Sequence, residues 1–547
     1  MRTILFIVGY SVLLFAPVRL SAQQKNYYMT AAGNDAQDGL SKQTAWRSIE
    51  RMNKQDFKPG DSILLEGGII FDGTIHLTAF DSGSDDMPVT LSSFGKGKAI
   101  VNAANGDGVL AINTAHFTIS SLHFVGAGVY INRGSGIHFY ANDSLHAPTR
   151  ITITDCDVNG FRGQGIVFGA NENISWKGYR HVRIVHCNVT ENGEAGISSY
   201  GGNGFQHQDF YIAWCKAFQN RGNLSKPDSH TGNGIVMAKI DGLLIEYCEA
   251  FGNGSDNRST AGGPVGIWVW MCRNAIIQYC SSHDNYAGAT KDGGGFDIDG
   301  GASDCILQYN YSYNNEGAGY LLAEFGASFP FTNNTIRFNI SINDGRKNSY
   351  GAITVWGAGK NFPVTNTAIY NNTIYVDDKK IIDGKPAAIT LLGPHFKNVV
   401  MANNIVVTKG NVNLIASDTT VNTFAFMLLH NNYYSYSNQY IFQLAGKKIM
   451  SLVDWFSLYP DQEKWNGKSL LLNKNPLFEY NQKFTQLFTP IATAEFLITG
   501  LVLSQSSSLR KEKFPLREHF KILSNTRDYT NTIIPVNGWV IPGACVR

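Results

Sequence analysis

The sequence has few charged residues and no excess of either sign. Charged residues make up 16% of the 547 positions, with 45 lysines and arginines against 43 aspartates and glutamates. A near-neutral chain lacks the broad basic field that nucleic acids need. Beyond its N-terminus it has no run of 18 apolar residues, so we predict no membrane-spanning helix. Its 56 glycines and 12% aromatic residues favour turns and strands over long surface helices.

The eight cysteines have neither the spacing of a zinc site nor the pattern of a compact disulfide framework. Three of them, Cys272, Cys305 and Cys545, follow no regular pattern, so a disulfide within this group stays open. The other five recur roughly every 30 residues at one position of a strand pattern, which predicts buried free thiols that stack between repeats. They are Cys156, Cys187, Cys215, Cys248 and Cys280.

The same pattern continues with asparagine in place of cysteine, with an average period of about 31 residues. A short period with several strands and no helix predicts a parallel β-solenoid, whose coils stack about 4.8 Å apart. A propeller blade would need about 40 residues. We therefore predict an all-β solenoid of about ten or more coils. The asparagines are Asn310, Asn339, Asn372, Asn404 and Asn432.

Residues 1–22 have the pattern of an export signal. Arg2 supplies a positive start, residues 4–16 form an apolar core, and small residues precede Gln23. We therefore expect a secreted, periplasmic or cell-surface protein. The rest divides into an N-terminal cap with the first strands (residues 23–108), the solenoid (residues 109–435) and a C-terminal capping region (residues 436–547).

Residues 291–324 combine the repeat with the densest group of carboxylates. Phe296, Asp297, Ile298 and Asp299 alternate apolar with acidic side chains, as in a strand with one solvent-facing side. Both aspartates then project from the same face, with Cα atoms about 6.5 Å apart. Three glycines precede this strand and two follow it, so few side chains shield the pair.

These features together resemble a known family. The segments GIWVW, DGGGFDIDGG and QYNYSYNNEGAGYLL and the asparagine ladder resemble the right-handed parallel β-helix proteins of the pectin-lyase-like superfamily, over about residues 25–435. This resemblance implies the fold and a carbohydrate ligand. It leaves the reaction open, because the superfamily contains lyases, hydrolases, epimerases and non-catalytic adhesins.

Alignment of the coils on their leading glycines predicts the surroundings of the acidic pair. Trp268 and Trp270 should lie one coil away from Asp297 and Asp299, and Glu324 one coil away on the other side. Aromatic rings beside paired carboxylates are expected of a glycosidase subsite. A one-residue shift would bury Glu324, in which case Asp292 would be the substitute partner. The stereochemistry of cleavage stays open.

Two other functions remain possible at this stage. In a Ca²⁺-dependent polysaccharide lyase, Lys239 would be the base and the three aspartates 292, 297 and 299 would bind the metal. In a non-catalytic binding protein, the aspartates would only hydrogen-bond sugar. His230 and His283, expected in turns that flank the same face, would assist as acid, base or sugar ligands.

The leading hypothesis is a secreted glycoside hydrolase. Asp297 and Asp299 would be its core carboxylates, assisted by Glu324 or Asp292. We expect a monomer that binds a carbohydrate substrate, with no required cofactor, although Ca²⁺ stays open.

Overall fold

The structure is a computed structural model that describes residues 24–173, 177–202, 204–289, 291–479, 502–520, 526–535 and 539–545. The expected export signal, residues 1–22, lies outside the described residues.

The chain winds into a solenoid whose faces are three long sheets, and each coil adds one strand to each sheet. Sheet 1 has strands Asn26–Met29, Ser62–Glu66, Val89–Phe94, Phe117–Ser120, Thr149–Thr154, Arg180–Val185, His207–Ala213, Ile240–Glu246, Arg273–Gln278, Ile306–Gln308, Thr335–Arg337, Val364–Tyr370, Phe396–Ala402 and Phe426–Leu429. Sheet 2 has strands Ile75–Leu77, Val109–Ile112, Ile137–Ala141, Gln164–Ala170, Ala195–Tyr200, Asn233–Ala238, Val265–Trp270, Gly294–Asp299, Tyr320–Glu324, Gly351–Gly357, Ala387–Leu392, Asn413–Ser417, Ile441–Leu444 and Lys447–Ile449. Sheet 3 has strands Ile70–Asp72, Ala99–Ala104, Leu122–Gly126, Asp157–Asn159, Asn188–Thr190, Lys216–Phe218, Glu249–Phe251, Ser281–His283, Tyr311–Tyr313, Ile340–Ile342, Thr373–Asp377, Ile405–Lys409 and Asn432–Ser435.

Strand pairing between coils is parallel, and the final strand of sheet 2, Lys447–Ile449, is antiparallel to its neighbour. The predicted all-β solenoid is therefore confirmed. Its stacking already includes Asn26–Met29, so the segment assigned to the N-terminal cap also contributes coils.

Helices are short and lie outside the sheets. The α-helices of the described residues are Ile49–Met52, Leu452–Leu458 and Leu516–His519, and the 3₁₀ turns are Ala79–Asp81, Asp378–Lys380, Thr423–Ala425 and Ser508–Lys511. Three antiparallel pairs of two-residue strands complete the C-terminal part: Lys464–Trp465 with Lys468–Ser469, Phe478–Glu479 with Val502–Leu503, and Phe514–Pro515 with Trp539–Val540. No described helix is long and apolar enough to cross a membrane.

Period-two alternation sends one side of each strand into a single continuous core. In strand Gly294–Asp299, for example, Phe296 and Ile298 are fully buried and stack with their equivalents in the neighbouring coils. All eight cysteines are buried free thiols. The prediction of free thiols is confirmed, and it extends to the three cysteines for which a disulfide had been left open.

A hydrogen-bonded asparagine ladder continues the cysteine row. Asn339, for example, donates from Nδ2 to Asn372 Oδ1 (3.1 Å) and accepts from the Asn310 backbone amide (2.9 Å). At its end the ladder runs through Asn431, which donates to the buried carboxylate of Glu463 (2.8 Å). The sequence assignment of Asn432 to this position was wrong by one residue, because the last turn is shorter than the average period.

The C-terminal region closes one end of the solenoid and folds back along its side. Helix Leu452–Leu458 places Trp455, which is fully buried, over Phe442 with ring centroids 4.4 Å apart. Farther on, Phe520 stacks on Tyr370 (4.2 Å) and the Ile541 carbonyl accepts a hydrogen bond from Asn371 (3.0 Å). The region therefore covers a flank as well as an end.

Candidate active site

A cleft of about 470 Å³ lies on the outer face of sheet 2. Its floor comes from consecutive coils, and its walls come from the turns that precede and follow the strands. It brings together most of the residues predicted from the sequence. They are His230, Ala261, Gly262, Gly263, Val265, Trp268, Trp270, Lys291, Asp292, Asp297, Asp299, Leu321, Ala323, Phe325 and Trp356.

Asp297 and Asp299 lie side by side on the cleft floor. The register pairs Asp297 with Trp268 and Asp299 with Trp270 in the preceding coil, as the sequence alignment predicted. Both carboxyls point outward from the core, but the cleft walls leave Asp297 only 3% exposed. Its Oδ1 has no hydrogen-bond partner among the described residues, whereas Asp299 Oδ1 accepts from the Gly300 amide (2.8 Å).

This environment favours the protonated form of both carboxyls. Burial, followed by the negative charges of Asp299 and Asp292, raises the pKa of Asp297 well above its usual range. Burial is also the main cause that raises the pKa of Asp299 to about 8, and the charges of Asp292 and Glu324 add to it. The described residues thus hold a carboxylic acid that keeps its proton at neutral pH.

Asp292 lies in the same cleft but has different surroundings. It occupies a left-handed backbone position (φ 58°) just before the glycines. Its Oδ1 accepts from the Tyr350 hydroxyl, and its Oδ2 accepts from the Gly263 amide (2.7 Å). Both carboxyl oxygens of Asp292 therefore accept hydrogen bonds, unlike Asp297 Oδ1. The cleft thus contains an acid and a hydrogen-bonded carboxyl in distinct environments.

Glu324 does not line the cleft. It is fully buried beneath the floor, where it accepts hydrogen bonds from the backbone amides of Gly301 (3.0 Å), Gly326 (2.5 Å) and Ala327 (2.8 Å). The expectation that it would stand beside Asp299 as a second exposed carboxyl is corrected, because Asp299 pairs with Ala323, so Glu324 lies on the inward side of its strand with Leu322. Glu324 fixes the loops on either side of the cleft floor.

The aromatic wall has the predicted composition. Trp268 donates from Nε1 to Asn233 Oδ1 (3.0 Å), and His230 packs edge-on against its ring (4.9 Å). Burial lowers the pKa of His230, which favours the neutral imidazole at the cleft. Trp270 stands beside Asp299. Trp268 is only 3% exposed and packs against Val236 and Val265, whereas Trp270 stays partly exposed at the cleft.

Lys239 and His283 do not lie in this cleft. The ammonium of Lys239 is covered by Trp270, 4.7 Å from the ring centre, and contacts Met271 Sδ, so it cannot reach a substrate over Asp299. Burial lowers the pKa of Lys239.

His283 belongs to sheet 3, stacked between the Phe251 (5.1 Å) and Tyr313 (4.3 Å) rings. Its expected position in a turn that flanks the acidic face is corrected, since this stretch forms strand Ser281–His283. Burial lowers the pKa of His283, but Asp284 and Glu249 raise it by more, so the pKa lies above its ordinary value.

Sequence reasoning missed four residues around the cleft: Lys291, Phe325, Tyr350 and Trp356. Three of them line it, and Tyr350 holds Asp292. Trp356 pairs with Ala323 and so continues the column of Trp270 and Asp299. It was missed because the coil was aligned on Gly351, whereas the register stacks Ala352 on Gly319. Counting from Ala352 would have found Trp356.

No group of three or more histidine, cysteine, aspartate or glutamate side chains within the described ranges is arranged to hold a metal ion.

Comparisons with known proteins agree on the fold. The family model "Right handed beta helix region" matches residues 135–374. A lacto-N-biosidase from Bifidobacterium longum subsp. longum is 26% identical over 484 residues, covering 69% of this chain; the chain spans only 29% of that relative's length. The crystal structure of the GH136 lacto-N-biosidase from Eubacterium ramulus superposes with a TM-score of 0.51 at 19% identity, covering 67% of this chain and 65% of that chain. Pectate lyase Pel9A is similar with a TM-score of 0.42 at 16% identity, covering 96% and 97%.

Proposed function

We propose that the sheet 2 cleft of this parallel β-helix, which matches the model of a right-handed β-helix region over residues 135–374, hydrolyses a glycosidic bond. The observation that carries this proposal is the convergence of Asp292, Asp297 and Asp299 with the partly exposed rings of Trp270 and Trp356 in one cleft of about 470 Å³. Aromatic faces bind sugar rings, and carboxyls in contrasting environments perform acid and base or nucleophilic chemistry.

Asp299 is the proposed general acid. With a pKa of about 8, it carries a proton at neutral pH and can transfer that proton to the oxygen of the leaving sugar. Asp292 is the proposed partner carboxyl, because Tyr350 and Gly263 hold both of its oxygens in a fixed orientation at the cleft. It would act as nucleophile in a retaining reaction or as the base for water in an inverting one, and the anomer of the first product distinguishes the two.

Asp297 has a supporting role in this scheme. Its Oδ1 lacks a partner among the described residues, and its raised pKa keeps it protonated. A neutral carboxyl of this kind can donate a hydrogen bond to a sugar hydroxyl and adds no second negative charge beside Asp299. The core pair inferred from sequence is thus redistributed, with Asp299 and Asp292 carrying the reaction and Asp297 holding substrate.

The proposed substrate is a glycan without acidic groups at the cleaved bond, since the partner carboxyl of Asp292 would repel a uronate. The sequence relative is a lacto-N-biosidase, so a lacto-N-bioside is the first substrate to test. The reaction as proposed uses side chains and water alone, with EDTA sensitivity as the check for Ca²⁺. We further propose export through residues 1–22.

The decisive experiment compares Asp299→Asn and Asp292→Asn with wild type on an oligosaccharide that ends in lacto-N-bioside, whose sugar leaving group needs protonation, and on a panel of neutral glycans. Loss of a general acid or its partner should lower kcat by about 10²–10⁴-fold. Asp304→Asn is the matched control, because Asp304 is an exposed aspartate in the turn that follows strand Gly294–Asp299, and it lies outside the cleft. It should retain full activity.

Different products would contradict the proposal in different ways. Unsaturated sugar ends that absorb in the ultraviolet would indicate β-elimination. Glycan binding with no product from wild type would indicate a binding protein. Full activity in both cleft variants would place the chemistry elsewhere.

A further inference from the structure

A second groove, of about 410 Å³, lies on the outer face of sheet 1, away from the cleft of sheet 2. Its floor is a single column of outward-facing side chains from four consecutive coils. Thr118 pairs with Thr152, Thr152 with Arg183, and Arg183 with Tyr211. Three steps between strands make this column about 14 Å long. The groove can accommodate a short extended chain parallel to the solenoid axis.

One wall of the groove is an equally regular column. His116, Arg150, His181 and Asp209 each occupy the left-handed backbone position at the same corner of successive coils. Arg150 Nε lies 2.8 Å from Asp85 Oδ1, and His181 Nδ1 lies 2.5 Å from Asp209 Oδ2. Arg150 and His181 of the wall therefore each lie beside an aspartate.

Arg183, on the groove floor, differs from these wall residues. Its guanidinium lies over the ring of Tyr211, 4.5 Å from the ring centre, and has no hydrogen bond or ion pair within the described part of the chain. Tyr211 is itself held by a hydrogen bond to Glu246 (2.8 Å), which also accepts from Gln278 (2.8 Å). A planar cation is thus held in place by stacking while its donors stay available to a ligand.

We propose that this groove binds an oligosaccharide that carries one anionic group, a carboxylate or a sulfate, at Arg183. The guanidinium fork matches two oxygens of such a group. The hydroxyls of Thr118 and Thr152, which make no side-chain hydrogen bond in the described structure, would bind the neighbouring sugar hydroxyls. A densely charged polyanion such as a nucleic acid does not fit, because Asp85 and Asp209 stand along the same groove. This proposal does not rest on the hydrolase activity of the other cleft.

The test is isothermal titration of the full chain with a galactotriose in which one residue is galacturonate, a galactotriose with a single sulfate, and neutral galactotriose. Wild type should bind at least one anionic trisaccharide at least ten-fold more tightly than galactotriose, and the arm that binds identifies the anionic group. Arg183→Gln should weaken that binding by about 10–100-fold. Arg183→Lys, which keeps the charge but loses the fork, should recover part of it. Arg133→Gln, an exposed arginine outside the groove, should bind like wild type.

Activity at the sheet 2 cleft should be the same in Arg183→Gln and wild type, so failure of one proposal is separable from failure of the other. The groove proposal is overturned if wild type binds none of the three sugars at millimolar concentration, if it binds galactotriose as tightly as the anionic sugars, or if Arg183→Gln binds them as tightly as wild type.

Discussion

The largely buried carboxyl of Asp299 at the cleft floor should make the native protein less stable as pH rises. Its pKa is about 8 in the folded state, against 3.8 as the ordinary value. Between these two values the folded state binds more protons than the unfolded state, so the free energy of unfolding falls with increasing pH. Below about pH 4 the group contributes no penalty, and above about pH 8 it contributes its full penalty.

Asp299→Asn removes this penalty and keeps the acceptor for the Gly300 amide. One pKa unit corresponds to about 1.4 kcal/mol, so a shift of about four units sets an upper limit of roughly 5–6 kcal/mol. The side chain is partly exposed to cleft water, which screens its charge, and we expect about 2–4 kcal/mol at pH 8.5. The variant should therefore be inactive and more stable than wild type.

The assay is thermal unfolding of wild type and Asp299→Asn at one scan rate from pH 4 to pH 8.5. The difference in Tm should be near zero at the acid end and grow by several degrees toward pH 8.5. Asp304→Asn should follow wild type throughout. A constant difference across this range, or a variant less stable than wild type at pH 8.5, would refute the assignment of a buried, protonated carboxyl.

Two further predictions concern the ladder and the aromatic wall. Asn339→Ala should lower the free energy of unfolding by about 2–4 kcal/mol in urea titrations, because it leaves the buried amide of Asn310 without an acceptor. The control Asn188→Ala, at an exposed strand position, should lower it by under about 1 kcal/mol. Equal losses in the two variants would contradict a special role for the ladder. Trp356→Ala should raise KM roughly ten-fold with a smaller change in kcat, because it removes a sugar-stacking face. The control Trp465→Ala, in the C-terminal region, should leave KM unchanged. An unaltered KM in Trp356→Ala would exclude that face from substrate binding.

The repeat in the amino-acid sequence was enough to predict the β-solenoid and the aspartate and tryptophan pairs at the middle of the cleft. A fixed period converts separation along the chain into stacking in space, so equivalent positions of successive coils become neighbours. That rule placed Trp268 beside Asp297 and Trp270 beside Asp299, and period-two alternation within the strand turned both carboxyls outward. It also identified the cysteine row as buried thiols without any knowledge of the packing.

The folded structure was needed for two kinds of feature: positions where a coil departs from the average period, and contacts between turns. A one-residue shift at Ala352 brought Trp356 into the column, and the register turned Glu324 beneath the floor, where loop amides bind it. The hydrogen bond from Tyr350 that distinguishes Asp292 from its neighbours joins turns 58 residues apart. Strand alternation and the average period do not encode turn lengths or the desolvation of a carboxyl, because both depend on how several coils pack together. The fold was therefore readable from the repeat, whereas the division of roles among the three aspartates came from the assembled cleft.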